Sequence, residues 1–300
     1  AKDIPGENMV GETPPGEELF ASKEVFYLGY PIGIVAAETH EIARRAAEAV
    51  EVEYEELKAL LSIEDAIAAQ SFLCDWFDIE RGDLEGGFKS AEHVIEGEVV
   101  LEGQDHFYLE PMSAIVTPGE DGEYEILSST QNPHFVQMNC AKVLGVPANR
   151  VVAKIKRAGG GFGGKESRSV PNSSACAVAA YHLHRTARLV LDRDVDMQVH
   201  GTRHPYLGRY RCGFNSDGRL VAYDVELYSN GGHSIDMSIA VLHRSLFLSD
   251  NAYNVPNFRT RGIACKTNRP SNTAFRGFGG PQGMAIIEAA VQRVAEILGK

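Results

Sequence analysis

The sequence predicts an α+β fold in two parts, and three observations carry that expectation. A compact strand–turn–strand–helix–strand pattern ends near Ala68. A second region then opens on strands and alternates them irregularly with helices. The chain closes on one long amphipathic helix, "PQGMAIIEAAVQRVAEIL".

Taken in order, the opening "AKDIPGENMVGETPPGEELF" is rich in Pro and Gly, shows no apolar period and receives no element. "EVFYLGYPIGIVAAET" reads as two strands about a turn at Gly29–Gly33. "HEIARRAAEAV" reads as a helix with Thr39 as its N-cap, because a threonine oxygen there can accept a first-turn N–H. "VEVEYEEL" sets Val50, Val52 and Tyr54 against glutamates, the period of a half-buried strand. From Ser71 to Gly87 the order breaks down, and a linker is placed there.

Beyond it, "EHVIEGEVVLEGQ", "YEILSSTQ", "NRVVAKIKR" and "ARLVLDRD" read as strands. "HFVQMNCAKVLG" reads as a helix closed by Gly145, and "NSSACAVAAYHLH" as a small-residue helix. "RYRCGFNSDGRLVAYDVELYSNGG" reads as a hairpin turning at Asn215–Gly218. The final helix places Met284, Ile287, Val291, Val294 and Leu298 on one side.

With 300 residues and 44% hydrophobic content, the chain can bury a sizeable core. No segment approaches the roughly 18 uninterrupted apolar residues of a membrane span, and no export signal is visible, so no membrane partner and a cytoplasmic setting, with the peroxisome as alternative, are expected. A net charge of -12 argues against nucleic acid as the main partner, which would require clustered cations. The five cysteines are scattered with no C-x-x-C pair, which encodes neither a zinc ribbon nor an iron–sulfur cluster. His200 and His204 stand four apart in "HGTRHP", but its Gly and Pro leave no helix to put them on one face, so no zinc site is expected.

The stretch "AGGGFGGKES" carries the most information. From Gly159 it reads G-x-x-x-x-G-K, a phosphate loop up to Lys165, but Glu166 stands where that motif needs a magnesium-binding hydroxyl. Gly159, Gly161 and Gly164 also satisfy G-x-G-x-x-G, yet about 20 positions on, where that motif needs an acid, the sequence reads "AYHLHRTARL" with no acidic residue until Asp192. A third reading has the glycines bring backbone close to a bulky cofactor, with Phe162 and Glu166 projecting into the site. A tight strand-to-helix connection is the bland alternative, but five glycines in six residues exceed what a turn requires. A second stretch, "NTAFRGFGGPQG", repeats the pattern before another helix, and helix N-termini favour anionic groups.

Together "STQN", "KRAGGGFGGKESRS", "LDRDVDM", "RHPYLGRY" and "KTNRPSNTAFRGFGGPQG" resemble the molybdenum hydroxylases over essentially the whole chain, most nearly their xanthine dehydrogenase/oxidase branch. The resemblance implies that residues 1–70 are the end of a hammerhead α/β domain, 71–87 a linker and 88–300 the first, mixed α/β molybdopterin-binding domain. It implies molybdenum–molybdopterin as cofactor. In the complete enzyme it implies 2Fe-2S clusters, FAD and NAD, whose domains are expected outside this sequence.

It further implies purine oxidation, hypoxanthine and xanthine to urate, by hydroxide attack and hydride transfer to the molybdenum centre. Glu166 and Arg244 are the implied catalytic and substrate-binding pair, an acid for ring N–H groups and a guanidinium for charge developing on a ring oxygen. Phe278 is implied to pack on the substrate ring. Gln131, Phe162, Gly163, Ala274 and Arg276 are implied cofactor contacts, with Gln131, Phe162 and Arg276 around the molybdenum but not ligating it. Without the resemblance, Arg244 reads as a helix-surface salt bridge, Phe278 as a core aromatic and Gln131 as a polar strand end.

The family's general base is expected in a later domain, so this stretch alone is expected to be inactive without the remaining domains. A homodimer is implied by resemblance only. The alternatives are an aldehyde oxidase-type hydroxylase of the same family, which typically lacks the Glu166/Arg244 pair, and a truncated, non-catalytic structural module.

Overall fold

The structure, a computed structural model, describes residues 1–11 and 16–300; residues 12–15 of the Pro- and Gly-rich opening lie outside the described residues. In chain order the elements are β1 (Met9–Val10), β2 (Glu17–Glu18), α1 (His40–Glu48), α2 (Ile63–Ala68), β3 (Phe77–Arg81), α3 (Leu84–Ser90) and β4 (His93–Leu101). Then follow β5 (Ser113–Pro118), β6 (Tyr124–Ser128), α4 (Pro133–Leu144), β7 (Val151–Lys154), α5 (Ser169–Leu183), β8 (Ala187–Val190) and α6 (Arg193–Val199). The chain ends with β9 (Tyr206–Phe214), β10 (Leu220–Gly232), α7 (Ser238–Phe247), β11 (Asn257–Lys266) and α8 (Gly280–Ile297). The mixed α+β class expected from the sequence is the class observed.

Two compact units form, each from separated stretches. The first unit comprises Ala1–Ala59, Asp105–Gly201 and Asn268–Thr273; the second comprises Leu60–Gln104, Thr202–Thr267 and Ala274–Lys300.

The first unit is built on a four-stranded sheet in the order β7-β6-β5-β8, with β6 and β7 parallel and the other pairs antiparallel. Parallel neighbours need a crossover, and α4 supplies it. Asn132 caps α4, its Oδ1 accepting from Phe135 N at 3.1 Å, and Gly145 ends the helix at φ 67, a left-handed conformation that glycine adopts cheaply. The helix α5 reads "SVPNSSACAVAAYHL", and 11 of its residues are buried, because small side chains let it pack closely on both α4 and the sheet. Val116, Ile126, Val143, Val151 and Cys176 form the centre of this core, which Leu19 and Phe20 join from the N-terminal stretch.

The second unit carries a five-stranded sheet in the order β3-β11-β10-β9-β4, parallel only between β10 and β11. One face packs Tyr206, Tyr210, Phe214, Tyr223 and Leu227 against Leu242 and Leu246 of α7 and Ile286, Ile287 and Val294 of α8. The chain closes up at Gly208, where a Cβ would stand 2.6 Å from Ile286 Cδ1.

The opposite face carries two rows of charge. In register, Glu96–Arg211–Asp224–Arg259–Glu80 form one row and Glu98–Arg209–Glu226–Arg261–Asp78 the other. Arg259 is bidentate on Asp224, at 2.8 and 2.6 Å, Arg209 Nε meets Glu98 at 2.8 Å, and Arg261 pairs with Glu226. Each such half-exposed cross-strand pair contributes on the order of 0.2–1 kcal/mol.

Thr39 caps α1 as expected, its Oγ1 accepting from Ile42 N at 3.3 Å. The hairpin, α4, α5, α8 and strands β4, β6, β7 and β8 also stand where the sequence put them. Three readings are corrected. Neither the two strands expected within 24–39 nor the one over 50–57 forms, and Val50, Val52 and Tyr54 stay 52%, 40% and 59% exposed. A strand needs a neighbour to complete its ladder, and among the described residues none pairs there. The stretch 71–87, read as a linker, instead holds β3, paired antiparallel to β11, and the start of α3, capped by Asp83. The side of α8 expected to face the core does so through Ile287 and Val294, with Val291 and Leu298 partly buried against it, and Ile286 and Ala290 widen the stripe, while Met284 is half-buried.

Candidate functional site

In the first unit, the strand β7 leads into the first glycine loop, and α5 leaves it. Gly160 and Gly163 take φ of 103 and 107, values open in practice only to glycine. Phe162 sits between them at φ 55 with its ring 51% exposed. A bulky residue held left-handed and turned outward costs roughly 1–3 kcal/mol, a strain that marks functional loops.

Gln131, just beyond β6, governs this loop. Its Oε1 accepts from Gly163 N at 2.9 Å and from Lys165 N at 3.2 Å. Its backbone N donates to Lys165 O at 2.8 Å. With the carbonyl end used by the loop, the Nε2 end is the outward donor, and among the described residues it has no partner. Gly161 cannot carry a side chain without disturbing this, since a Cβ would stand 2.4 Å from Gln131 Oε1. Glu166, half-buried, follows at the exit of the loop, its N donating to Gly163 O at 3.3 Å. Gln131, Phe162, Gly163 and Glu166 are thus brought to one loop.

Lys165 settles the phosphate-loop alternative. Its side chain is fully buried and turned inward, Nζ donating to Glu110 O at 2.7 Å and Ser129 Oγ at 2.6 Å, with Glu110 Oε2 at 3.3 Å. The Tyr108 ring lies under the ammonium, 4.3 Å from Nζ to centroid. Burial pulls the Lys165 pKa below the usual lysine value. A phosphate-loop lysine must reach outward to its ligand, and this one does not.

In the second unit, the second glycine loop repeats the left-handed Phe–Gly step of the first. Phe278 takes φ 48 and Gly279 φ 88, beside Gly277 at φ 94. α7 packs directly on it: Ser245 Oγ donates to Gly279 O at 2.8 Å, and a Cβ on Gly279 would stand 2.1 Å from Val241 O. One residue earlier on α7, Arg244 is exposed and forms no ion pair among the described residues, so the surface salt bridge does not exist. Its Nε passes 4.0 Å from where a Cβ on Gly280 would stand. Arg244 therefore lies at the same loop as Phe278, which is half-buried. Ala274 is buried at the loop's start, and Arg276 is exposed.

One residue here escaped the sequence reading. Arg203 Nη2 donates to Arg276 O at 2.8 Å, Nε to Gln104 Oε1 at 3.1 Å, and the guanidinium stacks 4.0 Å over the Phe275 ring. Its Nη1 is buried without a hydrogen-bond partner, near Gly277. Burial lowers its pKa. A cation buried with no carboxylate of its own fits an anionic ligand group at that loop. The only signal in the sequence was an Arg inside "TRHPY", which local pattern does not separate from any other arginine.

Taken separately, the first loop offers an outward amide donor beside an exposed phenylalanine, and the second a guanidinium with one buried N–H group unpaired, features suited to holding anionic or polar ligand groups. Among the described residues no cluster of His, Cys, Asp and Glu is placed to ligate a metal directly.

A model of the molybdopterin cofactor-binding domain matches residues 67–300, and a model of the aldehyde oxidase and xanthine dehydrogenase a/b hammerhead domain matches residues 1–58. The chain belongs to the molybdopterin cofactor-binding domain family. Over all of its length it is 50% identical to a xanthine dehydrogenase of Dictyostelium discoideum and 52% identical to xanthine dehydrogenase 1 of Arabidopsis thaliana, and it spans 22% of the length of each. Its structure is similar, at a TM-score of 0.90 and 28% identity, to an aldehyde oxidoreductase from Desulfovibrio gigas, covering 99% of this chain and 35% of that one. No helix among the described residues is long and apolar enough to cross a membrane.

Proposed function

We propose that this chain is the part of a molybdenum-dependent purine hydroxylase that holds the first molybdopterin domain, acting on hypoxanthine and xanthine. The observation that carries the reading is Gln131, whose Oε1 is consumed by the loop N–H groups so that Nε2 is left to donate outward. Bound molybdopterin supplies the two-electron redox chemistry. Gln131 Nε2 and the loop backbone at Phe162 and Gly163 would contact the bound metal centre, and Ala274 and Arg276 would contact the cofactor through their backbone.

Glu166 and Arg244 serve substrate recognition. Glu166 accepts hydrogen bonds from purine N–H groups, and Arg244, exposed and free of any internal carboxylate among the described residues, stabilises negative charge on a ring oxygen. Phe278 packs on the purine ring. The electron route through 2Fe-2S clusters and FAD to NAD or oxygen belongs to the rest of the enzyme, as do the general base and a homodimer contact. The identity to xanthine dehydrogenases over the whole chain supports the purine assignment over aldehydes.

The test compares Glu166→Val and Arg244→Ala in the holoenzyme. Xanthine kcat/KM should fall by at least about a hundredfold in each, as for loss of a charged transition-state contact. If Glu166→Val keeps its xanthine turnover, the purine reading fails and an aldehyde-type substrate takes its place.

A further inference from the structure

We propose that Glu110, Lys165 and Ser129 are positioning residues that lock the first glycine loop from its inner side and so hold the Gln131 amide in its donor-outward orientation. The inference rests on the molybdopterin reading of that loop but names residues which that reading leaves without a role.

The geometry is a tie at both ends of the loop. Glu110 Oε2 accepts from Gly159 N, the loop's first residue, at 2.8 Å. The same oxygen accepts from Ser129 Oγ at 2.7 Å and lies 3.3 Å from Lys165 Nζ, at the loop's last residue. All the hydrogen-bonding capacity of the ammonium is engaged by Glu110 O, Glu110 Oε2 and Ser129 Oγ, so none is left for a ligand. A second bond closes the tie, Glu110 N donating to Gly159 O at 3.3 Å, and the approach is so close that a Cβ on Gly159 would stand 2.3 Å from Glu110 Cβ.

Lys165 then transmits the tie to Gln131. Its N donates to Gln131 Oε1, and its O accepts from Gln131 N at 2.8 Å and from Thr130 Oγ1 and Ser169 Oγ, each at 3.2 Å. Lys165 and Gln131 are joined at two backbone-anchored points, so Lys165 cannot shift without carrying the amide with it. A lysine buried this completely is costly unless paired, and here the pair closes a loop rather than filling a core.

A purely structural ion pair would support stability alone. A lock makes the loop's order, and the amide's orientation, depend on Lys165. The experiment uses the holoenzyme and its cofactor-free form, with Lys165→Met, Glu110→Gln, Gln131→Ala and the double variant Lys165→Met/Gln131→Ala. Lys165→Met keeps a long apolar stem and removes the ammonium.

In the cofactor-free protein, amide exchange over residues 159–165 should speed up by about tenfold or more in Lys165→Met. In the loaded enzyme, kcat should fall about tenfold with KM within about twofold, and the paramagnetic resonance spectrum of half-reduced molybdenum should change in the same sense as in Gln131→Ala. The double variant should lose no more than the worse single variant, because both act through one amide. Glu110→Gln, which keeps an acceptor for Gly159 N, should show the same changes at smaller amplitude. Should Lys165→Met not fold, Ser129→Ala removes one of the three acceptors by loss of a single oxygen and is read the same way.

Unchanged loop exchange, additive losses in the double variant, or reduced stability with an unaltered spectrum would each overturn the lock. A wild-type protein that takes up no molybdopterin would overturn the cofactor reading instead, and the exchange measurement would still decide the lock.

Discussion

Replacing Gly161 with alanine isolates the Gln131 amide from the rest of the fold. The new Cβ would stand 2.4 Å from Gln131 Oε1, 2.8 Å from Cδ and 2.9 Å from Cγ, all side-chain atoms. Gly161 is not among the positive-φ glycines, so the backbone accepts alanine without strain. The side chain of Gln131 must swing away, and the buried N–H groups of Gly163 and Lys165 lose their acceptor. Two such losses cost roughly 2–3 kcal/mol, and the stiffer unfolded chain returns about 0.5 kcal/mol, for a net destabilisation of about 2 kcal/mol. Urea unfolding should show a lower midpoint at an unchanged slope, since the same surface is exposed. Molybdenum-dependent turnover should fall with it, and Gln131→Ala combined with Gly161→Ala should be no worse than Gln131→Ala alone. A variant with wild-type midpoint and wild-type turnover would refute the claim that the loop and the amide hold each other.

Acid should loosen the first glycine loop before it unfolds the chain. Burial raises the Glu110 carboxyl, but hydrogen bonds from Ser129 and Gly159 N and the charge of Lys165 outweigh it and leave its pKa below the ordinary value of 4.5. A depressed folded value means that this contribution is complete above about pH 4.5 and is lost as the pH falls through the folded value, a dependence that Glu110→Gln should remove from the acid unfolding curve. Thiol labelling should split the five cysteines: burial pushes Cys140, Cys176, Cys212 and Cys265 to about 12, whereas Cys74 is half-buried and raised less. At pH 8 a bulky disulfide reagent should therefore modify Cys74 first and the others only with unfolding, a prediction that fails if two or more react rapidly.

Elements with a local signature were legible: the capped helix after Thr39, the Gly145 stop, the hairpin turn and the glycine loops. The strand β11 was not, because its inward positions include Thr260 and Gly262, which break the apolar alternation. A different signal marks it. "DIE", "EGE", "RYR", "DVE" and "RTR" each carry two like charges two residues apart, and these are the charged positions of β3, β4, β9, β10 and β11. Charge alternation would have found β3 inside the supposed linker. At the site, the glycines and Gln131 were legible through motif, whereas Arg203, Glu110 and Ser129 act through long-range contacts that no local pattern encodes.

The two rows of charge in the second sheet also dictate which strands may be neighbours. Three strands, β3, β4 and β10, present acids, and two, β9 and β11, present arginines. Strict alternation of three with two allows a single pattern of sign, with acidic strands at both borders and in the middle, and the observed order follows it. Both open borders are therefore acidic. Another copy approaching border to border would set carboxylate against carboxylate, so the arrangement that sorts the strands within one sheet also discourages the sheet from growing beyond its fifth strand.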